Sequence, residues 1–148
     1  MTNIDSNPLI SILTPTWNRA EYLKKVWKGL DSQTYKNIEW VIANDGSTDN
    51  TKEVVEELSK KSSFPVTFIN ADMRIGKPRM DNELMNHANG EFFIWNDSDD
   101  FLLPDAINKL VELWRNIPNI KRHEYLGVMA LCSDNKGVMQ TLSFDSDG

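Results

Sequence analysis

The segment Asn96-Asp97-Ser98-Asp99-Asp100 places three carboxylates within four positions, between the apolar runs Phe92, Phe93, Ile94, Trp95 and Phe101, Leu102, Leu103. Like charges this close repel and raise each other's pKa. Two arrangements relieve that: a bound cation, or a helix N-terminus whose dipole favours acids. Three other polar clusters stand out. They are Thr14-Pro15-Thr16-Trp17-Asn18-Arg19, the turn Asn44-Asp45-Gly46-Ser47, and a basic loop with Arg74, Lys77 and Arg79 around Gly76 and Pro78. Carboxylate oxygens are the donors preferred by Mg²⁺ and Mn²⁺, usually one or two of them completed by phosphates. Basic side chains suit phosphates, with Lys77 and Arg79 the better placed here. Trp17 beside the amide of Asn18 suits a stacked, hydrogen-bonded base, and Asp45 can accept from a base imide or amide. These parts describe a site for a metal and a nucleoside diphosphate. A calcium loop beginning at Asp45 is disfavoured, because its sixth position is Asn50 rather than Gly and a strand, not a helix, precedes it.

The elements that would position these clusters follow from periodicity. Residues 9–13 form a short apolar run between Pro8 and Pro15 and read as a buried strand. Leu23, Val26, Trp27 and Leu30 recur at helical spacing over about 19–31, with Asn18 and Glu21 arranged as a capping box. Residues 38–45 read as a second strand ending in the Asp45-Gly46-Ser47 turn, and 48–61 as a helix with Val54, Val55 and Leu58 on one face. A third strand at 66–70, a helix at 80–88 stopped by Asn89-Gly90, and a fourth strand at 91–96 follow. Pro104 suits the first turn of a helix running on through Ile107, Leu110, Val111 and Trp114. Residues 124–133 read as a fifth strand, and Asn135-Lys136-Gly137 as a hairpin turn into a sixth.

Strands alternating with helices predict an α/β fold: a doubly wound, mostly parallel sheet with helices on both faces. Such sheets bind ligands beyond the carboxyl ends of their strands, where strand order reverses. All four polar clusters follow strands, so all four are expected on one edge. Composition sets the bounds. The chain has 148 residues and a net charge of −6, which argues against a general nucleic-acid binder and requires local positive charge to hold an anion. A single cysteine, Cys132, permits no internal disulfide, which fits a reducing compartment. No apolar run approaches the roughly 20 residues of a membrane span. The expected location is cytoplasmic, or peripheral at the inner face of the membrane.

The segments LISILTPTWNRAEYL, VIANDGSTDNT and RIGKPRMDNELMNHANGEFFIWNDSDD, followed by Pro104, resemble the nucleotide-binding half of glycosyltransferase family 2, with its GT-A, Rossmann-like fold. The resemblance covers roughly residues 8–116. It implies an enzyme that transfers a sugar, with inversion, from a nucleotide-sugar donor (UDP most commonly) to a saccharide or lipid-linked acceptor hydroxyl in cell-surface polysaccharide synthesis. It implies Mn²⁺ or Mg²⁺ held by Asp97 and Asp99 of the D-x-D element, chiefly by Asp99. The nucleotide set it implies, with the basic loop, is Thr14, Pro15, Thr16, Trp17, Asn18, Asp45, Lys77, Arg79, Asp97 and Ser98. Trp17 stands where the family usually has Tyr, and Met80-Asp81-Asn82 replaces its usual Ala-Arg-Asn. The family's second half, which supplies the acceptor site and a general base, has no counterpart here. Residues 1–148 therefore read as a single nucleotide-sugar-binding domain, incomplete at its C-terminus, with the base unassigned. The competing readings are a sugar-nucleotide nucleotidyltransferase, which would need a glycine-rich loop where Thr14-Pro15-Thr16 stands, and a binding domain without transferase activity.

Overall fold

The computed structural model describes residues 7–130, 132–134 and 136–138. The chain divides into two compact units, residues 1–108 and 109–148. The first contains four strands, β1 (Ile10–Thr16), β2 (Ile38–Asn44), β3 (Val66–Asn70) and β4 (Phe92–Trp95), and three helices, α1 (Ala20–Asp31), α2 (Thr51–Lys61) and α3 (Lys77–His87). Helix α4 (Ala106–Arg115) begins in the first unit and continues into the second.

All strand pairs are parallel, in the order β3-β2-β1-β4. The chain winds outward from β1 through β2 to β3, then returns across to place β4 on the other side of β1. Order thus reverses between β1 and β4. Register brings the strand ends level: Thr16 pairs with Asn44, and Asn44 with Asn70. The loops after β1, β2 and β3 therefore leave from one line. Trp95 pairs with Leu13, so β4 releases its chain at the same edge, at Asn96.

Alternation along the strands divides the core. Leu13, Val41 and Ala43 face α3 and cluster with its Met80 and Leu84, all essentially buried. Ile12, Trp40 and Ile42, of opposite parity, are fully buried on the side of α1 and α2, whose Leu23, Val26, Leu30, Val54, Val55 and Leu58 are also buried. Burying a side chain of this size contributes about 1.5–3 kcal/mol. Helices lie on both faces, as the alternating pattern requires.

Buried polar groups pin the edges. At the base of the sheet the Glu39 carboxylate accepts from Ser11 Oγ (2.5 Å), Asn89 N (2.6 Å) and Asn89 Nδ2 (3.1 Å), tying β1 and β2 to the turn before β4. The buried Gln33 amide donates to Gly29 O (2.9 Å) and Leu103 O (2.7 Å), and its carbonyl accepts from Ile107 N (3.2 Å). Together with the bond from Thr34 N to Pro104 O (2.8 Å), it fastens the segment after the acidic cluster to the end of α1.

Three local expectations are corrected. Asn18 does not cap α1. Arg19 occupies that position without a side-chain bond, and the Asn18 side chain is engaged by the loop after β2. Helix α3 starts at Lys77 rather than 80, because Gly76, at φ 98°, turns the chain into a helix with Pro78 in its first turn. The fifth strand is absent among the described residues of 124–133. The chain there follows a 3₁₀ turn (Asn119–Glu124), and Leu126 and Met129 lie exposed. An apolar run becomes a strand only when a partner satisfies its backbone. The turn before Val138 does form, with Asp134 N donating to Val138 O (2.9 Å) and Gly137 N to Asp134 O (3.0 Å). The run that follows lies almost wholly outside the described residues. No helix among the described residues is long and apolar enough to cross a membrane.

Candidate functional site

The four loops enclose a cleft of about 270 Å³ at the edge where strand order reverses. The loop after β1 contributes Pro15, Thr16, Trp17 and Arg19, and the turn after β2 contributes Asp45. The basic loop and α3 contribute Arg74, Lys77 and Met80, and the loop after β4 contributes Asp97, Ser98 and Asp99. Asp45 and Asp99 thus open onto one cavity.

Asp45 is buried and organises the basic loop. Its Oδ1 accepts from Ile75 N (2.6 Å) and Gly76 N (3.0 Å), and Oδ2 lies 3.7 Å from Arg74 Nε. The adjoining Gly46 has φ 65°, and a Cβ there would stand 2.3 Å from the Met73 carbonyl carbon and 2.4 Å from Arg74 N. Only glycine combines that conformation with so close an approach. The Asp45-Gly46 pair therefore draws the backbone of 73–76 over the end of β2.

Positive charge collects on the aromatic rings at the rim. The Arg74 guanidinium carbon lies 3.8 Å from the centroid of the half-exposed Trp17 ring, and Lys77 Nζ lies 5.2 Å from that of Trp95. Lys77 also pairs with Asp81 at 3.1 Å. Both contacts fall within cation–π range.

The loops after β1 and β2 are joined by an acid at the start of α2, Asp49. Asp49 Oδ1 accepts from Thr51 N (3.1 Å) and Thr51 Oγ1 (2.5 Å), while Oδ2 accepts from Ala20 N (3.3 Å). One carboxylate therefore serves the first turns of both α1 and α2, where the helix dipoles favour negative charge. Burial alone would raise its pKa. The bonds from Thr51 and Ala20 outweigh that and hold it below the ordinary aspartate value.

On the acidic loop, loss of water and then the charges of Asp97 and Asp99 push the Asp100 carboxyl above its ordinary value. Asp97 and Asp99 line the cleft and Asp100 does not. No group of three or more His, Cys, Asp or Glu converges on one point among the described residues. Two carboxylates facing a cleft fit a hard divalent cation whose remaining positions are filled by phosphate and water.

Of the residues singled out in the sequence, Pro15, Thr16, Trp17, Asp45, Lys77, Asp97, Ser98 and Asp99 come together in the cleft. Thr14, Asn18 and Arg79 lie outside its lining. Thr14 is fully buried and its hydroxyl accepts from Trp40 Nε1 (3.0 Å). Thr16 Oγ1, in contrast, is buried without a hydrogen-bond partner. Arg19, Arg74 and Met80, outside the expected nucleotide set, line the cleft as well. Arg74 is identifiable in sequence only as one cation among three. Its selection depends on the Gly46 contact, which has no local signal.

The chain matches the family model Glycosyl transferase family 2 over residues 11–120. It is 34% identical over 105 residues to a GalNAc(5)-diNAcBac-PP-undecaprenol beta-1,3-glucosyltransferase of Campylobacter jejuni, a match covering 71% of this chain and 34% of that protein. It is 36% identical over 106 residues to a hyaluronan synthase of Pasteurella multocida, covering 72% of this chain and 11% of the synthase. The chain thus spans about a third or less of these relatives. Among solved structures, TarS of S. aureus in complex with UDP superposes with a TM-score of 0.64 at 26% identity, over 71% of this chain and 31% of that one. A mannosyltransferase from Pyrobaculum calidifontis in complex with GDP-Man and Mn²⁺ gives 0.62 at 25%, over 66% and 29%. The parallel sheet flanked by helices is the GT-A arrangement of these neighbours. A match over most of the chain, on the fold and cleft just described, means that the protein belongs to glycosyltransferase family 2.

Proposed function

We propose that this chain forms the donor half of an inverting glycosyltransferase that uses a nucleoside diphosphate sugar, UDP-sugar first among candidates, and delivers the sugar to a saccharide or lipid-linked hydroxyl. The observation that carries the reading is the composition of one cleft: an aromatic ring (Trp17), a buried carboxylate (Asp45), three cations (Arg19, Arg74 and Lys77) and two acids (Asp97 and Asp99). Solved neighbours bound to UDP and to GDP-Man with Mn²⁺ support it.

In this reading Trp17 stacks on the base and Asp45 accepts from it, the same carboxylate holding the loop that frames it. Arg74 and Lys77 face the diphosphate, whose charge the protein's net −6 would otherwise repel. Asp97 and Asp99 would hold Mn²⁺ or Mg²⁺, which supplies Lewis-acid stabilisation to a diphosphate leaving group when bound. Among the described residues the cleft is lined by no carboxylate besides Asp45, Asp97 and Asp99, so none of these lining residues is left for a general base. That observation favours one second reading, a domain that binds donor without transferring from it.

Calorimetric titration with UDP, GDP and CDP, with and without Mn²⁺, tests donor binding. Affinity that rises with Mn²⁺ and disappears in Asp99→Ala is expected. Equal affinity without metal, or no affinity for any of the three, overturns the reading. Release of nucleoside diphosphate from the bound donor in the presence of saccharide acceptors separates a transferase from a binder.

A further inference from the structure

The loops after β1 and β2 are stitched to each other by Asn18, a residue outside the cleft lining. Asn18 Oδ1 accepts from Thr48 N (2.8 Å) and from Asp49 N (3.4 Å). Asn18 N donates to Ser47 Oγ (2.8 Å). The Ser47 hydroxyl donates onward to Asn44 Oδ1, and the Asn44 amide donates to Asn70 Oδ1 (2.7 Å). A continuous line of bonds therefore crosses the site edge of the sheet, from the end of β3 through the end of β2 to the residue after Trp17.

Asn18 adopts φ 51°, alone among the described non-glycine residues in having a positive value. That left-handed conformation is unfavourable for most side chains and tolerated best by Asn and Asp. It turns the Asn18 backbone N–H toward Ser47 and the side-chain carbonyl toward Thr48 and Asp49. The two stitched loops carry the two groups assigned to the base, Trp17 immediately before Asn18 and Asp45 immediately before Gly46.

We infer that Asn18 is a positioning residue, which presets the spacing of Trp17 and Asp45 for the nucleobase by bonding one loop to the other without itself touching the nucleotide. The inference rests on the donor-site reading above. It divides the cleft into a base half, which depends on the stitch, and an acidic half built on Asp97 and Asp99 of the loop after β4, which does not.

The test uses Asn18→Gly, which keeps the left-handed backbone accessible and removes the acceptor, beside Asn18→Asp, which keeps an acceptor. Amide exchange of Thr48 and Asp49 is expected to speed up about tenfold in Asn18→Gly while strand amides are unchanged. UDP affinity in Mn²⁺ is expected to fall roughly tenfold, since the base must then order both loops on binding. Pyrophosphate affinity in Mn²⁺ should stay the same, and Asn18→Asp should keep UDP affinity within about threefold of the unsubstituted chain. Unchanged exchange in Asn18→Gly overturns the stitch. A parallel loss of UDP and pyrophosphate affinity, or none of either, overturns the positioning role. If the unsubstituted chain binds no nucleotide, the donor-site reading fails and this role with it, a result visible before any substitution is made.

Discussion

Arg74 stands over Trp17, with its guanidinium carbon 3.8 Å from the ring centroid and its Nε 3.7 Å from Asp45 Oδ2. One side chain thereby joins the ring and the carboxylate assigned to the base, and holds positive charge at the mouth of a cleft in an acidic protein. Its own exposure keeps it free to turn toward a phosphate.

Removing that charge should act on phosphate more than on the base. Arg74→Ala is expected to weaken UDP binding about tenfold, as loss of a charge-assisted contact implies, and to change uridine binding less than about threefold. Calorimetry with both ligands at low and high salt checks this. Equal losses for UDP and uridine would place Arg74 against the base instead.

Metal dependence should reside in the acidic loop. In the unsubstituted chain, EDTA is expected to lower UDP affinity to the level seen in Asp99→Ala, and Mn²⁺ added to that variant should restore little. If Mn²⁺ raises UDP affinity equally in Asp99→Ala and in the parent chain, the cation is not held where the cleft suggests.

Gly46 should be irreplaceable. A methyl group there meets backbone at 2.3 Å and 2.4 Å, in a conformation with φ 65°. Gly46→Ala is expected to cost roughly 2–5 kcal/mol by strain and overpacking, measured by denaturant unfolding. A variant as stable as its parent would show that the 73–76 loop rests elsewhere.

Glu39 gives an acid limit to stability. Burial opposes its ionisation, but bonds from Ser11, Asn89 and Gly90 prevail and hold its pKa below the ordinary 4.5. A group lowered in the folded state stabilises fully above its unfolded pKa, and that contribution is lost as pH falls through the folded value. Unfolding free energy should therefore decline from about pH 4.5 downward. Glu39→Gln should flatten that decline while lowering stability at pH 7, because the bonds from Ser11 and Asn89 weaken. A pH series of urea melts reads both effects.

Much of this molecule is legible in local pattern. The four strands follow from short apolar runs bounded by turn residues and the four helices from apolar spacing near 3.6, which each segment carries by itself, and Asn44-Asp45-Gly46-Ser47 marks its turn by composition. That polar clusters follow every strand is also a property of the chain order, and it puts Asp45, Asp97 and Asp99 on one edge. The expected fifth strand shows where local pattern stops: residues 124–130 carry apolar side chains but form no strand, since a strand is a relation between two segments.

The residues whose roles changed did so for the same reason. Thr14 and Thr16 share one face of β1, yet Trp40 reaches the first and leaves the second unpaired at the cleft. Arg74 was selected over Arg79 by the approach of Gly46 to the 73–74 backbone, and Asn18 was taken from its expected helix cap by Thr48 and Asp49, thirty residues away. Sequence alone determined the four strands and four helices of the described residues and which edge gathers the polar groups, because spacing along the chain encodes both. Only the tertiary structure decided which of those groups face the cleft and which brace it, because hydrogen-bond partners and steric contacts between distant loops exist nowhere but in the folded arrangement.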